Sequence, residues 1–163
     1  MSVQPAPKRV TSSARLTRGG TRRRDRAVRA GLALVSAAGI ALAAYLTYVH
    51  YKPAALICSI GGGCETVQHS KYATIVGIPV AILGLAFWIA ALVLVLWDSE
   101  LARTLVLALA LIGVAFSIYL VVLQLVVIDA TCTWCMLNDL VLAPLFLLLA
   151  LARLWTTETP ASG

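Results

Sequence analysis

Residues 131–155 of the chain read TCTWCMLNDLVLAPLFLLLALARLW, and this stretch decides the fold. Its strictly uncharged part, Leu140–Ala152, has 13 residues. At about 1.5 Å per residue, such a helix covers only ~20 Å of a hydrocarbon core that is roughly 30 Å thick. A spanning helix must therefore begin earlier, near Cys132 or Thr133. That start places Asn138 and Asp139 just inside the membrane, where polar side chains usually face the interior of a bundle.

Three more apolar runs precede this stretch, and each is long enough to cross a bilayer, which takes about 20 helical residues. They have 20, 23 and 25 residues and cover Ala30–Val49, Ile75–Trp97 and Thr104–Ile128. Of the 163 residues, 61% are hydrophobic and 12% are charged, against roughly 45–50% and about 25% in soluble domains. The sequence excludes a water-soluble globule and predicts an all-α membrane protein, a four-transmembrane-helix bundle in one domain over residues 30–155.

Residues 1–29 form a basic tail that holds nine of the thirteen Lys and Arg residues and a single acidic residue, Asp25. The tail contains several Gly, Pro, Ser and Thr residues and no aromatic residue that could stack on bases. We therefore expect it to be disordered and to bind no nucleic acid. Its charge favours a position beside the anionic membrane lipid of the cytoplasmic face.

The remaining basic residues set the predicted orientation. Arg103 follows the second run and Arg153 ends the fourth, on the side of the tail, whereas Lys52 and Lys71 fall on the other side. Because cytoplasmic loops are rich in Lys and Arg, we predict a multi-pass protein of the cell inner (plasma) membrane. Both termini are then cytoplasmic, including a C-terminal tail over residues 156–163.

The first run also has a second interpretation, as a cleaved signal peptide. The sequence ALA at residues 41–43 resembles a cleavage site. The run is long for the apolar part of a signal peptide, so we interpret it as a retained membrane anchor.

All four cysteines fall on the predicted extracytoplasmic side, Cys58 and Cys64 after the first span and Cys132 and Cys135 at the start of the fourth. The second pair forms a CxxC motif at a helix start, where unpaired backbone N–H groups favour the thiolate of the first cysteine. The first pair flanks three consecutive glycines, residues 61–63, whose backbone can swing. An exchanging pair beside a carrier pair predicts thiol–disulfide exchange in a compartment where thiols oxidise.

Two other uses of the cysteines stay open at this point. Two static disulfides would make the chain a structural membrane protein without an activity. Four thiolates would suit a zinc ion, but the C-x5-C spacing is wider than that of most zinc sites and an oxidising compartment opposes four free thiols. We therefore predict no metal.

The pattern of these residues is similar to the vitamin K epoxide reductase family, in particular to its bacterial members without a fused thioredoxin-like domain. The similarity runs from Ala30 to about Leu154. It includes the loop cysteine pair, then Ser70, then GIP at residues 77–79 opening the second helix, and finally CxxC at the fourth. The resemblance implies a four-helix bundle that holds a quinone, menaquinone or ubiquinone, near the CxxC motif.

The same resemblance implies roles for single residues. The catalytic residues are an active-site pair and a shuttle pair that carries electrons inward, namely Cys132 with Cys135 and Cys58 with Cys64. Ser70 then lies in the loop segment that packs beside the cysteines, and we expect Cys135, Ser70 and Asp139 to contact the quinone.

One departure from the family bears on the substrate. Animal members that reduce vitamin K epoxide have a tyrosine four residues after the second CxxC cysteine and an asparagine near the start of the second helix. Asp139 and Val80 stand at the corresponding positions here. Quinone reduction is therefore the expected activity, and reduction of vitamin K epoxide is the alternative.

The expected mechanism is a relay of electrons through mixed disulfides. The chain has no dinucleotide fingerprint and no P-loop, so the acceptor is expected to come from the lipid. The order is an extracytoplasmic thioredoxin-fold disulfide oxidant, the loop pair, the CxxC pair and the quinone, with Cys64 bonding transiently to Cys132. This is a quinone-dependent thiol-disulfide oxidoreductase that supports disulfide bond formation in secreted proteins.

Polar residues outside the cysteine motifs are weaker candidates. Asp139 is equally a proton relay or a cap of the helix end, and Glu65 is interpreted as a solvated loop residue. Three polar residues of the third span either line the pocket or bond to neighbouring helices, and their position favours the second: Ser117, Tyr119 and Gln124.

Overall fold

The computed structural model describes residues 11–52 and 63–157. Helix α1 covers Thr11–Tyr51 and is followed by a short helix α2, Cys64–Gln68, and a two-stranded antiparallel hairpin of β1, Thr74–Ile75, and β2, Ile78–Pro79. Helix α3 covers Val80–Trp97. Helix α4 covers Glu100–Val122 and continues as a π-helical segment, Leu123–Val127. The last helix consists of α5, Thr133–Leu137, a π-helical segment, Asn138–Leu142, and α6, Ala143–Thr157.

Within this part of the chain, four stretches are long and apolar enough to cross a membrane: Arg23–Tyr51, Val80–Trp97, Glu100–Val127 and Thr133–Trp155. Helix α1 packs against α3 and α6, and α4 packs against α3 and α6. Many Leu, Ile and Val side chains stay exposed on the outside of the bundle, as a lipid-facing surface requires. The prediction of an all-α four-helix membrane bundle is confirmed.

The first helix begins earlier than the sequence pattern indicates. Disorder was expected through residue 29, but α1 begins at Thr11; residues 1–10 lie outside the described residues. Once the apolar part of α1 is helical, each added residue gains a hydrogen bond without a new nucleation cost, and Arg and Ala are good helix formers. Arg29 is also held in place, because its guanidinium donates to Asp98 of the α3–α4 turn at 2.7 Å.

The second spanning helix begins later than expected, at Val80 instead of Ile75. Thr74 and Ile75 pair with Ile78 and Pro79 in the hairpin. The two turn residues, Val76 and Gly77, both have positive φ angles, 52° and 80°, as a tight two-residue hairpin turn requires. The third spanning helix begins at Glu100, four residues before the predicted start, because the Ser99 hydroxyl accepts the N–H of Ala102 and caps it.

The last helix begins at Thr133, as predicted from its length. It widens over Asn138–Leu142, where the N–H of Ala143 donates to the carbonyl oxygen of Asn138 five residues earlier. The next residue is Pro144, whose ring has no N–H and would collide with a regular helical carbonyl. The widened turn accommodates the proline and coincides with buried Asp139.

The bundle core is made of tightly packed apolar side chains around Trp88, which is 1% exposed. A Cβ atom on Gly39 would lie 2.2 Å from the Trp88 ring, so only glycine lets α1 approach α3 here. Phe146 meets the same indole edge-on, at 5.5 Å between ring centroids. This packing fills the half of the bundle that leads towards Asp98.

An ion-pair cluster closes this end of the bundle, which we call the Asp98 end. The carboxylate of Asp98 accepts from Arg29 at 2.7 Å, from Arg103 at 3.4 Å and from Arg153. Arg29 also donates to two carbonyl oxygens at the end of α3, at 3.1 and 2.7 Å. Burial of Asp98 opposes its ionisation, but Arg153, Arg29 and Arg103 together outweigh burial and hold its pKa below the ordinary value. One carboxylate thus joins α1, α4 and α6 to the end of α3.

Candidate functional site

The CxxC motif lies at the opposite end of the bundle, which we call the cysteine end. Cys132 is the residue before α5, and its sulfur accepts the backbone N–H of Cys135 at 3.3 Å. Both residues are free thiols, Cys132 fully buried and Cys135 partly buried. The hydrogen bond from the Cys135 side chain holds the pKa of the Cys132 thiol below its ordinary value; backbone N–H groups of Cys135 and Trp134 add to this effect, against burial. Cys132 is therefore a better nucleophile for disulfide exchange than Cys135.

Gln124 positions the start of this motif. It lies in the π-helical segment after α4 and is 3% exposed. Its side-chain Oε1 accepts the backbone N–H of Cys132 at 3.0 Å, and its own carbonyl oxygen accepts the N–H of Ala130 at 3.1 Å. The widened turn therefore directs one glutamine at the link between the third and fourth spans and fixes the backbone of Cys132.

The loop cysteine Cys64 is fully buried and disulfide-bonded. It begins α2 directly after Gly63, which packs on the link that precedes Cys132. A Cβ atom on Gly63 would lie 2.8 Å from both the N and the O of Thr131 and 3.2 Å from Cβ of Ala130. The absence of a side chain at Gly63 thus brings the Cys64 segment against the CxxC segment. Cys58 lies outside the described residues.

A cavity of about 260 Å³ extends from the cysteine end into the bundle, between α1, α3, α4 and the last helix. Its wall is mostly apolar. The three residues predicted to contact the cofactor, Cys135, Ser70 and Asp139, all line it. Ser70 also donates from its hydroxyl to the Val67 carbonyl oxygen at 2.9 Å, which holds the segment after α2 at the cavity.

Asp139 is held by a set of directed hydrogen bonds. Ser117 Oγ donates to Asp139 Oδ1 at 2.9 Å, and Asn138 Nδ2 donates to the same oxygen at 3.0 Å. Trp88 Nε1 in turn donates to Asn138 Oδ1 at 3.0 Å. Asp139 as a whole is 4% exposed. Asn138 and Asp139 thus face the bundle interior, as their depth in the membrane predicted.

Two polar residues of the third span combine both of their predicted roles. Ser117 and Gln124 line the cavity, and both also bond to the segment that forms the fourth span, Ser117 to the Asp139 carboxyl and Gln124 to the backbone of Cys132. They are seven residues apart, which puts them on one helical face two turns from each other, and that spacing was the available signal. Tyr119 is off this face and is 51% exposed. Glu65 is exposed on α2, as expected.

Metal ligands are not grouped in the described part of the chain. Over residues 11–52 and 63–157, no set of three or more His, Cys, Asp or Glu side chains is arranged to hold a metal ion. The two histidines, His50 and His69, stack at 6.0 Å between ring centroids.

The model of the Vitamin K epoxide reductase family matches residues 31–150 of the chain. The matched stretch is well over half of the sequence. It contains every residue that lines the cavity, Gln124 and Cys135 among them, and also the other two described cysteines, Cys64 and Cys132.

Proposed function

Because the chain belongs to the vitamin K epoxide reductase family, and is thus a multi-pass membrane thiol oxidoreductase, we propose that it passes electrons to a membrane quinone. The donor is an extracytoplasmic thioredoxin-fold dithiol protein, which the reaction returns to its disulfide form. That partner then introduces disulfide bonds into secreted proteins. The observation that carries the proposal is that the free thiol Cys135 forms part of the cavity wall.

The cavity suits a quinone head group. Ligand sites are mostly apolar with a few placed polar groups, and this wall is apolar apart from groups such as Ser70, Ser117 and Asp139. A volume of about 260 Å³ accommodates a ring rather than a complete prenylated molecule. Leu83 and Ile112 line the cavity and are also 37% and 65% exposed on the outside of the bundle. An isoprenoid tail can leave between α3 and α4 towards lipid. When bound, a quinone supplies a site that takes up two electrons and two protons.

The redox states of the cysteines match one state of the proposed relay. Cys64 is disulfide-bonded, whereas Cys132 and Cys135 are reduced. In the proposed relay this is the state in which the loop pair, Cys58 with Cys64, has already given its electrons to the CxxC pair. The contact between Gly63 and Thr131 holds the loop beside Cys132. That position suits the electron transfer from the loop pair to the CxxC pair.

The transfer between the two pairs proceeds by two thiolate attacks. The Cys64 thiolate attacks Cys132 of the oxidised CxxC pair, and the Cys132–Cys135 bond breaks with Cys135 as the leaving thiolate. Cys58 then attacks Cys64, which restores the loop disulfide and releases Cys132. Two electrons and two protons have moved inward, and the CxxC dithiol is ready to reduce the quinone.

The charge distribution supports the proposed orientation. Arg29, Arg103 and Arg153 gather at the Asp98 end, which we assign to the cytoplasmic side of the plasma membrane together with both termini. The cysteine end then faces the extracytoplasmic compartment, where disulfides persist.

A reconstituted assay tests the function. The protein in liposomes is supplied with a reduced thioredoxin-fold dithiol protein and a short-chain ubiquinone, and quinone absorbance is followed with the thiol content of the partner. We expect one quinol for each partner disulfide, and no quinol with Cys132→Ser or Cys135→Ser. Met136→Leu, in the same helix, is the matched control and keeps wild-type turnover. Unchanged quinone with all cysteines unexchanged supports static disulfides instead, and turnover with vitamin K epoxide supports the epoxide reductase alternative.

A further inference from the structure

Asp139 is the one carboxyl on the cavity wall within the described residues, and it shares that wall with Cys135. The two residues are four apart, so they project from the same side of the last helix about one turn from each other. The widened turn at Asn138–Leu142 falls at Asp139, and such turns recur at functional sites. The Cys135 thiol and the Asp139 carboxyl therefore line the same cavity.

The hydrogen bonds of Asp139 show which of its oxygens is available to carry a proton. The Trp88 indole N–H needs an acceptor, which orients the Asn138 amide so that its oxygen faces Trp88 and its nitrogen faces Asp139. Asp139 Oδ1 consequently accepts two hydrogen bonds, from Asn138 and Ser117. The described residues provide no such donor to Oδ2. A proton on this carboxyl is therefore held at Oδ2 while Oδ1 stays fixed.

The charges around the cavity make a proton source necessary. Reduction places negative charge on a quinone oxygen, and isolated charge in a low-dielectric site is costly. Among the described residues of the wall there is no Lys, Arg or His to compensate it. Proton transfer must then accompany electron transfer, and Asp139 is the carboxyl in the cavity that can supply the proton.

We propose that Asp139 is a catalytic proton donor to the quinone, a role that rests on the function proposed above. As the Cys132–Cys135 bond forms, the dithiol loses two electrons and two protons. Asp139 Oδ2 gives its proton to one quinone oxygen and takes up the thiol proton of Cys135. The second quinone oxygen is protonated from solvent at the cysteine end, and the second thiol proton is released there. The sum is dithiol plus quinone to disulfide plus quinol, with Asp139 unchanged.

The test compares Asp139→Asn with the wild type, with Glu100→Gln as the control because Glu100 is an exposed carboxyl at the Asp98 end. Removing a general acid typically costs about 10²- to 10⁴-fold in rate. We expect Asp139→Asn to lose about that much in single-turnover quinone reduction while it still binds quinone with wild-type affinity, measured by quenching of tryptophan fluorescence. Asp139→Glu should restore part of the rate.

A second readout needs no quinone. An infrared pH titration of the carboxyl band of the reduced protein should show one group that is absent from Asp139→Asn and present in Glu100→Gln. Its midpoint should coincide with the pH above which the wild-type rate falls, since Asp139 has no proton to give there. Cys135 and Tyr72 also line the cavity, and Cys132 lies one turn away; all three remain in Asp139→Asn, so a carboxyl band that this variant lacks belongs to Asp139.

The outcomes separate this role from the proposed function. If the wild type reduces no quinone, both ideas are overturned. If the wild type reduces quinone and Asp139→Asn does so at the same rate with the same pH profile, the proton-donor role alone is overturned. A carboxyl band with a midpoint unrelated to the rate profile contradicts it as well.

Discussion

The Asp98 end and the cysteine end of the bundle join the same four spans by different means. At the Asp98 end, three arginines converge on one carboxylate. In the core that leads towards this end, the Trp88 ring leaves no room for a Cβ atom on Gly39. At the cysteine end, the third and fourth spans each contain a π-helical segment, and the four spans surround a cavity of about 260 Å³. The first end holds helices together, and the second holds single side chains in place.

This difference indicates how stability and chemistry are divided along the bundle. Cavities and buried polar groups lower stability. Here the cavity lies beside Cys135, and four of the buried polar side chains, Gln68, Ser117, Gln124 and Asp139, line it. The tightly packed core and the ion pairs at the Asp98 end offset this loss of stability. Changes at one end should therefore affect activity and changes at the other should affect stability, with Trp88 as the link, because it belongs to the core and also donates to Asn138.

The largest expected effect is loss of turnover in Cys135→Ala. Without the second CxxC thiol, no Cys132–Cys135 disulfide can form, so quinone reduction should fall to background and a Cys64–Cys132 disulfide should accumulate. Acid quenching and non-reducing peptide mapping detect that bond. The pH midpoint of Cys132 alkylation, measured with the loop disulfide intact, should also rise, because the hydrogen bond that lowers its pKa is gone. The unfolding free energy should barely change. Retained turnover would show that the relay is wrong.

The opposite change is Asp98→Ala, which should lower stability and leave turnover per folded molecule intact. Removing one partner of a fully buried ion pair costs about 3–5 kcal/mol, and we expect about 2–3 kcal/mol, since Asp98 is 30% exposed although Arg153 is 2% exposed. Denaturant unfolding in detergent measures the loss. Glu100→Ala, whose carboxylate is 88% exposed, serves as the control and should cost less than about 1 kcal/mol. Equal losses in the two variants would remove the distinction between the ends.

The stability difference between wild type and Asp98→Asn should depend on pH. The folded-state pKa of Asp98 lies below its ordinary value, so its ion pairs contribute fully above the unfolded-state pKa of about 3.9. The contribution is lost as the pH falls through the lower folded-state pKa. Unfolding free energies of both proteins at neutral and acid pH should therefore converge only in strong acid. A gap that stays constant would place the stabilisation elsewhere.

A smaller effect is expected from Gly63→Ala. A Cβ atom there would lie 2.8 Å from backbone atoms of Thr131, so the loop must shift, and overpacking of this kind costs about 1–3 kcal/mol. Turnover with the protein partner should fall about tenfold or more, while quinone reduction by the previously reduced CxxC pair should be unchanged. Gly20→Ala, with nothing within 4 Å of its Cβ position, is the control. Equal slowing of both reactions would mean that Gly63 acts on the quinone step.

The smallest effect is expected from deletion of residues 1–20. The deletion keeps Arg29 and its ion pair with Asp98 and removes nothing from the cavity wall. Turnover of the purified protein in detergent should equal that of the full chain, and its unfolding free energy should differ by less than about 0.5 kcal/mol. A measurable loss of turnover would contradict the assignment of all chemistry to the cysteine end.

The predictable features were those that depend on length and local pattern. The short uncharged stretch before Arg153 placed the start of the last helix near Thr133, where the structure has it. The starts of α3 and α4 were missed because each depends on a single residue, the turn at Gly77 and the cap at Ser99. A window of hydropathy averages such residues with their apolar neighbours.

The polar contacts of the site could not be predicted from local sequence patterns. Gln124 reaches Cys132 through a widened helical turn, and Trp88 reaches Asn138 across 50 residues of sequence. Both contacts depend on the register in which the helices pack. The residue types predicted a redox site, and only the packed bundle shows which polar side chains surround the candidate cysteines.

The most direct test of the account is a single turnover of the protein in the redox state of the structure, with Cys64 disulfide-bonded and Cys132 and Cys135 reduced. The protein is mixed with one equivalent of quinone in the absence of partner, quenched in acid, alkylated and mapped by mass spectrometry while quinol is counted by absorbance. We predict one quinol per molecule and a new Cys132–Cys135 disulfide, with the bond to Cys64 untouched. Quinone that stays oxidised, or quinol that appears while both CxxC thiols are still alkylated, would contradict the claim that this pair reduces the quinone.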